Sequence, residues 1–139
     1  MPRDLLYLDS SALVKLVLPE PESQALLASL ESWPARVTSE LSRVEVIRAA
    51  RRAAADPAVE RRAEQVLAAL NLLKLDDDIL DRAARLEPRT LRALDALHLA
   101  AALALGDNLG AMVVYDLALA ATASAHGIEV MAPGAELSW

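Results

Sequence analysis

Short apolar runs recur along this chain at Leu5 to Leu8, Ala35 to Val37, Leu72 to Leu75, Ala111 to Tyr115 and Ile128 to Met131, with stretches of helical spacing between them. None shows the in-out alternation of a sheet with one wet face, so they read as strands covered on both sides. Strands of that kind joined by helices form an α/β fold, a three-layer α/β/α sandwich around a short, mostly parallel central sheet. A length of 139 residues allows one domain, spanning residues 1–139. The chain is 55% hydrophobic but only 3% aromatic and has no Phe, so Leu, Val, Ile and Ala must build its core.

Helix boundaries follow from caps and breakers. A first helix is expected over Ala12 to Leu18 after Asp9-Ser10-Ser11, and a second from Pro21 to about Ser32. Thr38 or Ser39 is expected to cap a long helix reaching Ala54, followed by one over Ala58 to Leu70. Asp76 to Leu86 and the apolar Thr90 to Leu105 supply two more. A last helix runs from Asp116 to Gly127, and an unstructured tail is expected after Met131.

Composition removes several kinds of chemistry. Without Cys there is no disulfide, thiol nucleophile or thiolate metal site, and His98 and His126 are too few for most zinc centres, so any metal would be held by oxygen. The apolar stretch near the N-terminus and that from Leu99 to Leu105 fall short of the roughly 20 residues of a membrane span, and a soluble cytoplasmic protein is expected. Acidic residues number 20 against 14 basic ones, which disfavours holding nucleic acid by bulk positive charge.

Four carboxylates stand out. In open parallel sheets ligands bind beyond the carboxyl ends of strands, where Asp9 and Asp116 lie, although each also suits a helix N-cap. Glu45 sits beside the core-facing arc of Leu41, Val44 and Ile47; its alternatives are a capping box with Ser42 or a pair with Arg48 or Arg52. Asp95 lies in a stretch whose other polar groups are Arg92 and His98, and a buried carboxylate there needs a partner, which His98 at i+3 or Arg92 at i-3 can supply; His98 reads as such a partner rather than as a general acid or ligand. Four such acids at one edge would repel, and must either take up protons or gather cations; an all-oxygen set selects Mg²⁺ or Mn²⁺. The corresponding chemistry is phosphodiester hydrolysis by a metal-activated water, without a protein nucleophile.

The segments Leu8-Asp9-Ser10-Ser11-Ala12-Leu13-Val14-Lys15-Leu16, Ser39 to Glu45, Leu94-Asp95-Ala96-Leu97-His98-Leu99-Ala100 and Val114-Tyr115-Asp116, in this order, resemble the PIN-domain ribonucleases, in particular VapC-type toxins of toxin-antitoxin pairs. The resemblance covers nearly the whole chain. It implies that Asp9, Glu45, Asp95 and Asp116 form the acidic quartet holding Mg²⁺ or Mn²⁺, with Ser10 as the small hydroxyl residue beside the first acid. It also implies RNA as substrate, an antitoxin whose C-terminal segment covers the site, and a homodimer. Leu117 and Ala118 depart from the many relatives that carry a polar residue after the last Asp. The competing expectation is an inactive PIN-like module that binds RNA or a partner, its carboxylates serving as caps and pairs. A phosphate-transfer domain with Asp9 as nucleophile lacks the second acid two residues on.

Overall fold

A computed structural model describes residues 3–135. Its five strands are β1 (Leu5–Leu8), β2 (Ala35–Ser39), β3 (Asn71–Leu73), β4 (Leu109–Val113) and β5 (Val130–Met131), all parallel in the order β3-β2-β1-β4-β5. The helices are α1 (Ser10–Val17), α2 (Ser23–Ser29), α3 (Leu41–Ala53), α4 (Pro57–Ala68), α5 (Asp77–Arg85), α6 (Ala93–Ala104) and α7 (Leu117–Ala125). Residues 1–2 and 136–139 lie outside the described residues, and with them the second half of the expected tail.

Alternation along β1 divides the core. Leu6 and Leu8 pack with Leu13, Leu26, Val46 and Leu67 from α1 to α4, whereas Tyr7 faces Ile79, Leu99 and Leu119 of α5, α6 and α7. The sheet is therefore the middle layer of the expected sandwich. The chain builds outward from β1 through β2 to β3, then returns to place β4 on the other side of β1. That return makes the gap between β1 and β4 the switch point of the sheet, where the loops diverge and leave a crevice.

Several boundaries differ from the sequence reading, each for a local reason. β2 extends through Thr38 and Ser39, so neither caps α3; Glu40 occupies the N-cap position without a side-chain cap bond. The Thr38 hydroxyl donates instead to the Leu8 carbonyl at 2.7 Å, tying β2 to β1, while Glu40 Oε1 accepts the Leu75 backbone N–H at 2.9 Å. α6 starts at Ala93 rather than Thr90, because Leu91 is in a turn bonded back to Pro88. β3 is shifted to Asn71–Leu73 and β4 to Leu109–Val113, taking in Gly110.

Gly110 is there because nothing larger fits. A Cβ at this position would lie 2.4 Å from the Arg3 carbonyl oxygen and 2.5 Å from the Trp33 ring. Gly110→Ala is expected to destabilise the protein by about 1–3 kcal/mol, read as a lower urea midpoint. An unchanged midpoint contradicts this packing.

Candidate active site

At the switch point, Asp9 follows β1 directly and caps α1, its Oδ1 accepting the Ala12 N–H and the Ser11 hydroxyl at 2.9 Å each. Asp116 follows β4 and caps α7 in the same way, its Oδ1 accepting the Leu119 N–H at 2.8 Å. Each cap spends one carboxylate oxygen. Oδ2 of Asp9 has no protein hydrogen-bond partner among the described residues, and Oδ2 of Asp116 has only the distant Arg92 guanidinium at 3.8 Å. Capping and ligand binding are thus compatible duties of one side chain.

From α3 and α6 come the other two acids. Asp9, Ser10, Glu45, Asp95 and Asp116 all line one cleft of about 400 Å³, together with Ser11, Arg92, Ala93, Leu94 and His98. Larger hollows border α5 and α6 (about 680 Å³), α1, α2 and α4 (about 640 Å³), and α3 and α4 (about 730 Å³); the first two gather at most one carboxylate, and the third has Glu40 and Glu64, neither of them an expected site residue. The structure therefore brings together every site residue expected from the sequence.

The partners of these groups differ in part from expectation. His98 does not pair with Asp95. Its Nε2 lies 2.8 Å from Glu45 Oε1 and 3.0 Å from Ser10 Oγ, and its Nδ1 lies 2.8 Å from the Tyr7 hydroxyl. The ring turns inward from α6 across the sheet, while Asp95 faces the cleft and pairs with Arg92 Nη2 at 3.1 Å. Arg92 thus reaches both Asp95 and Asp116, and it is the cation among the cleft-lining side chains. Among the described residues no three acidic or His side chains already form a closed metal-binding group. Asp95 and Asp116 are instead gathered on a guanidinium, and Glu45 on Ser10 and His98.

Ser42 is not a capping-box residue either. It lies inside α3, its hydroxyl 3.0 Å from Ser10 Oγ and 2.7 Å from Thr38 Oγ1. Ser10 in turn donates to Glu45 Oε1 at 2.5 Å. A serine beside a histidine suggests a nucleophile and its base, but Ser10 is only 7% exposed and its proton is committed to Glu45. Tyr7, Ser42 and Thr38 were not marked as site residues from the sequence. The available signal for Tyr7 was a lone phenol in an otherwise all-Leu strand.

Electrostatics separates the acids. Burial raises the pKa of Asp9, opposed by His98 and by the hydrogen bonds of Ala12 and Ser11, and the nearby charge of Asp95 raises it further. Burial acts in the same direction on Glu45, but hydrogen bonds from His98 and Ser10 outweigh it and leave the group below its usual range. Next to Asp9, burial together with the charges of Glu22 and Asp9 raises the Tyr115 phenol to about 12. Its hydroxyl donates to the Pro133 carbonyl at 2.8 Å, and the Lys15 ammonium stands 4.7 Å from its ring centre.

The family model for the PIN domain matches residues 6–109. Ribonuclease VapC46 of Mycobacterium tuberculosis strain H37Rv is 44% identical over 128 residues, covering 92% of this chain and 97% of the relative. Ribonuclease VapC47 of the same species is 37% identical over 135 residues, covering 94% and 98%. Among solved structures, the M. tuberculosis toxin VapC20, described as cleaving the sarcin-ricin loop, superposes with a TM-score of 0.70 at 18% identity over 92% of this chain and 99% of that one. A toxin-antitoxin complex from Klebsiella pneumoniae gives 0.62 at 21% identity, covering 80% and 86%. The chain belongs to the PIN-domain family, within the group of the VapC ribonucleases.

The opposite shifts of Asp9 and Glu45 predict opposite effects on stability. The folded protein binds the Asp9 proton more tightly than the unfolded chain does, so stability falls as pH rises from the ordinary Asp value of 3.8 through the raised native one. Glu45 contributes stability above its ordinary value of 4.5, which is lost as pH falls towards its depressed native value. Asp9→Asn keeps the cap without the charge. It is expected to raise the melting temperature of the metal-free protein at pH 7, with the gain closing as the pH falls below about 4. A lower melting temperature at pH 7 would contradict the burial of an ionised Asp9.

Proposed function

We propose that this chain is a divalent-metal-dependent endoribonuclease, the toxin of a VapBC-type toxin-antitoxin pair. The observation that carries the metal dependence is the convergence of Asp9, Glu45, Asp95 and Asp116 on one cleft, with the Arg92 guanidinium drawn between Asp95 and Asp116. The carboxylates accept a cation there, and an all-oxygen donor set suits Mg²⁺ or Mn²⁺.

Asp9, Glu45, Asp95 and Asp116 hold the metal. When bound, such an ion supplies an activated water and neutralises charge developing on the phosphodiester. The chain's own residues do the rest. Asp9 and Asp116 present one oxygen each from a rigid cap, because the other is fixed by a helix N-terminus. Ser10 and His98 hold Glu45 ionised by hydrogen bonds to its Oε1. Arg92, three-quarters exposed at the side chain, would be available to an RNA phosphate if the acids held a cation. RNA binding consequently depends on the metal, which reconciles an acidic chain with a nucleic-acid substrate.

An antitoxin that covers this cleft and a second copy of the chain are the protein partners. The VapC names of the relatives and the toxin-antitoxin complex among the structural neighbours support the antitoxin; the second copy rests on the sequence resemblance alone. A cytoplasmic location accords with the absence, among the described residues, of any helix long and apolar enough to cross a membrane.

The test is RNA cleavage by the purified protein in Mg²⁺, Mn²⁺ or EDTA, alongside Asp9→Asn and Asp95→Asn. Cleavage should require the metal, and each variant should lose more than the roughly 10–100-fold expected for an outer-shell residue. If EDTA has no effect, or both variants cut like the wild type, the metal-nuclease reading is wrong. RNA association without turnover at any metal concentration would instead identify a binding module.

A further inference from the structure

The hydrogen bonds behind the cleft can be assigned by counting protons. The Thr38 hydroxyl proton goes to the Leu8 carbonyl, which can only accept, and the Ser10 proton goes to Glu45. Ser42 has one proton for two neighbouring hydroxyl oxygens, Thr38 Oγ1 at 2.7 Å and Ser10 Oγ at 3.0 Å. No hydroxyl proton remains for His98 Nε2, so Nε2 must itself carry the hydrogen that it directs at Glu45 Oε1, 2.8 Å away. In the neutral ring Nδ1 is then an acceptor, and the Tyr7 phenol, 2.8 Å from it, is its donor. The reverse tautomer would set a bare Nε2 lone pair against a carboxylate oxygen and leave the phenol proton without this acceptor.

These groups are deep in the protein. Tyr7, Thr38 and Ser42 are 0% exposed and His98 is 3% exposed, while the Tyr7 and His98 rings meet edge to face at 71°. His98 lines the cleft but is almost wholly covered, and Tyr7 does not line it. A purely apolar pair would fill the same space without two buried polar atoms to satisfy, so the pair needs a reason.

We propose that Tyr7 and His98 form a positioning relay for Glu45: the phenol sets which imidazole nitrogen carries the proton, and that N–H holds Oε1 so that Oε2 is left for the cation. This rests on the metal-nuclease reading and adds two residues to it. Outer hydrogen bonds of this kind orient carboxylate ligands, and losing one costs roughly 10–100-fold in metal affinity or activity.

The first measurement is the ¹⁵N spectrum of His98 in the wild-type protein at neutral pH, free of metal and RNA. A proton on Nε2 alone is expected; a proton on Nδ1 overturns the relay, even if a variant fails to fold. The second is Mn²⁺ titration and RNA kinetics of His98→Leu, His98→Gln and Tyr7→Phe. His98→Leu should bind Mn²⁺ roughly 10–100-fold more weakly and lower kcat with KM for RNA unchanged. His98→Gln, which still offers an N–H near the Nε2 position, should recover most of both, and Tyr7→Phe should shift them the same way by a smaller factor. If His98→Gln is no better than His98→Leu, or Tyr7→Phe matches the wild type, the relay is refuted. Failure of the wild type to bind Mn²⁺ would overturn the nuclease reading itself, whereas Mn²⁺ binding that His98→Leu leaves unchanged overturns the relay alone.

Discussion

Mutual repulsion among four carboxylates at the open end of a parallel sheet is the constraint around which this molecule is organised. Asp9 is 4% exposed and has Asp95 close enough to raise its pKa further. An ionised group in that position costs several kcal/mol unless donors face it. The fold meets that cost with what its topology provides. The start of α1 supplies an N–H to Asp9, the start of α7 supplies one to Asp116, Arg92 stands between Asp95 and Asp116, and His98 and Ser10 face Glu45. Every one of these donors addresses part of a carboxylate, and Asp9 Oδ2 still has none among the described residues.

The strand order makes this convergence possible. Because β4 returns to lie beside β1, the two residues that end those strands' paths, Asp9 and Asp116, meet at the switch point despite their distance in sequence. The packing of α3 and α6 on opposite faces of the sheet then brings Glu45 and Asp95 in from either side. Thr38 and Ser42 stitch β2, β1 and α3 together beneath the cleft, so that the polar network is continuous with the core.

Much of this was legible in the sequence. Short apolar runs without alternation specified covered parallel strands, and the acids at strand ends marked the crevice, because both features follow from local pattern. What remained illegible depended on distance in the fold. His98 at i+3 from Asp95 suggested a pair, yet its ring is taken by Tyr7 and Glu45, 91 and 53 residues away in sequence. Ser42-x-x-Glu45 has the spacing of a capping box, but α3 has already begun at Leu41, and the Ser42 hydroxyl turns to Ser10 and Thr38, partners that spacing cannot reveal. The choice between cap and ligand for Asp9 and Asp116 was posed too sharply, since each carboxylate has two oxygens and one suffices for the cap.

Setting the four cleft acids aside from the 20 in the chain leaves acidic and basic groups nearly balanced, so the net charge of -6 largely records one site. The most direct measurement of that claim is the melting temperature of RNA-free protein across a series of Mn²⁺ concentrations, against NaCl of matched ionic strength. A cation bound at the cleft stabilises the folded state by mass action, so the melting temperature should rise with Mn²⁺ well beyond the salt control. A Mn²⁺ curve that coincides with the NaCl curve would show only screening of surface charge, and would contradict a cation-gathering cleft.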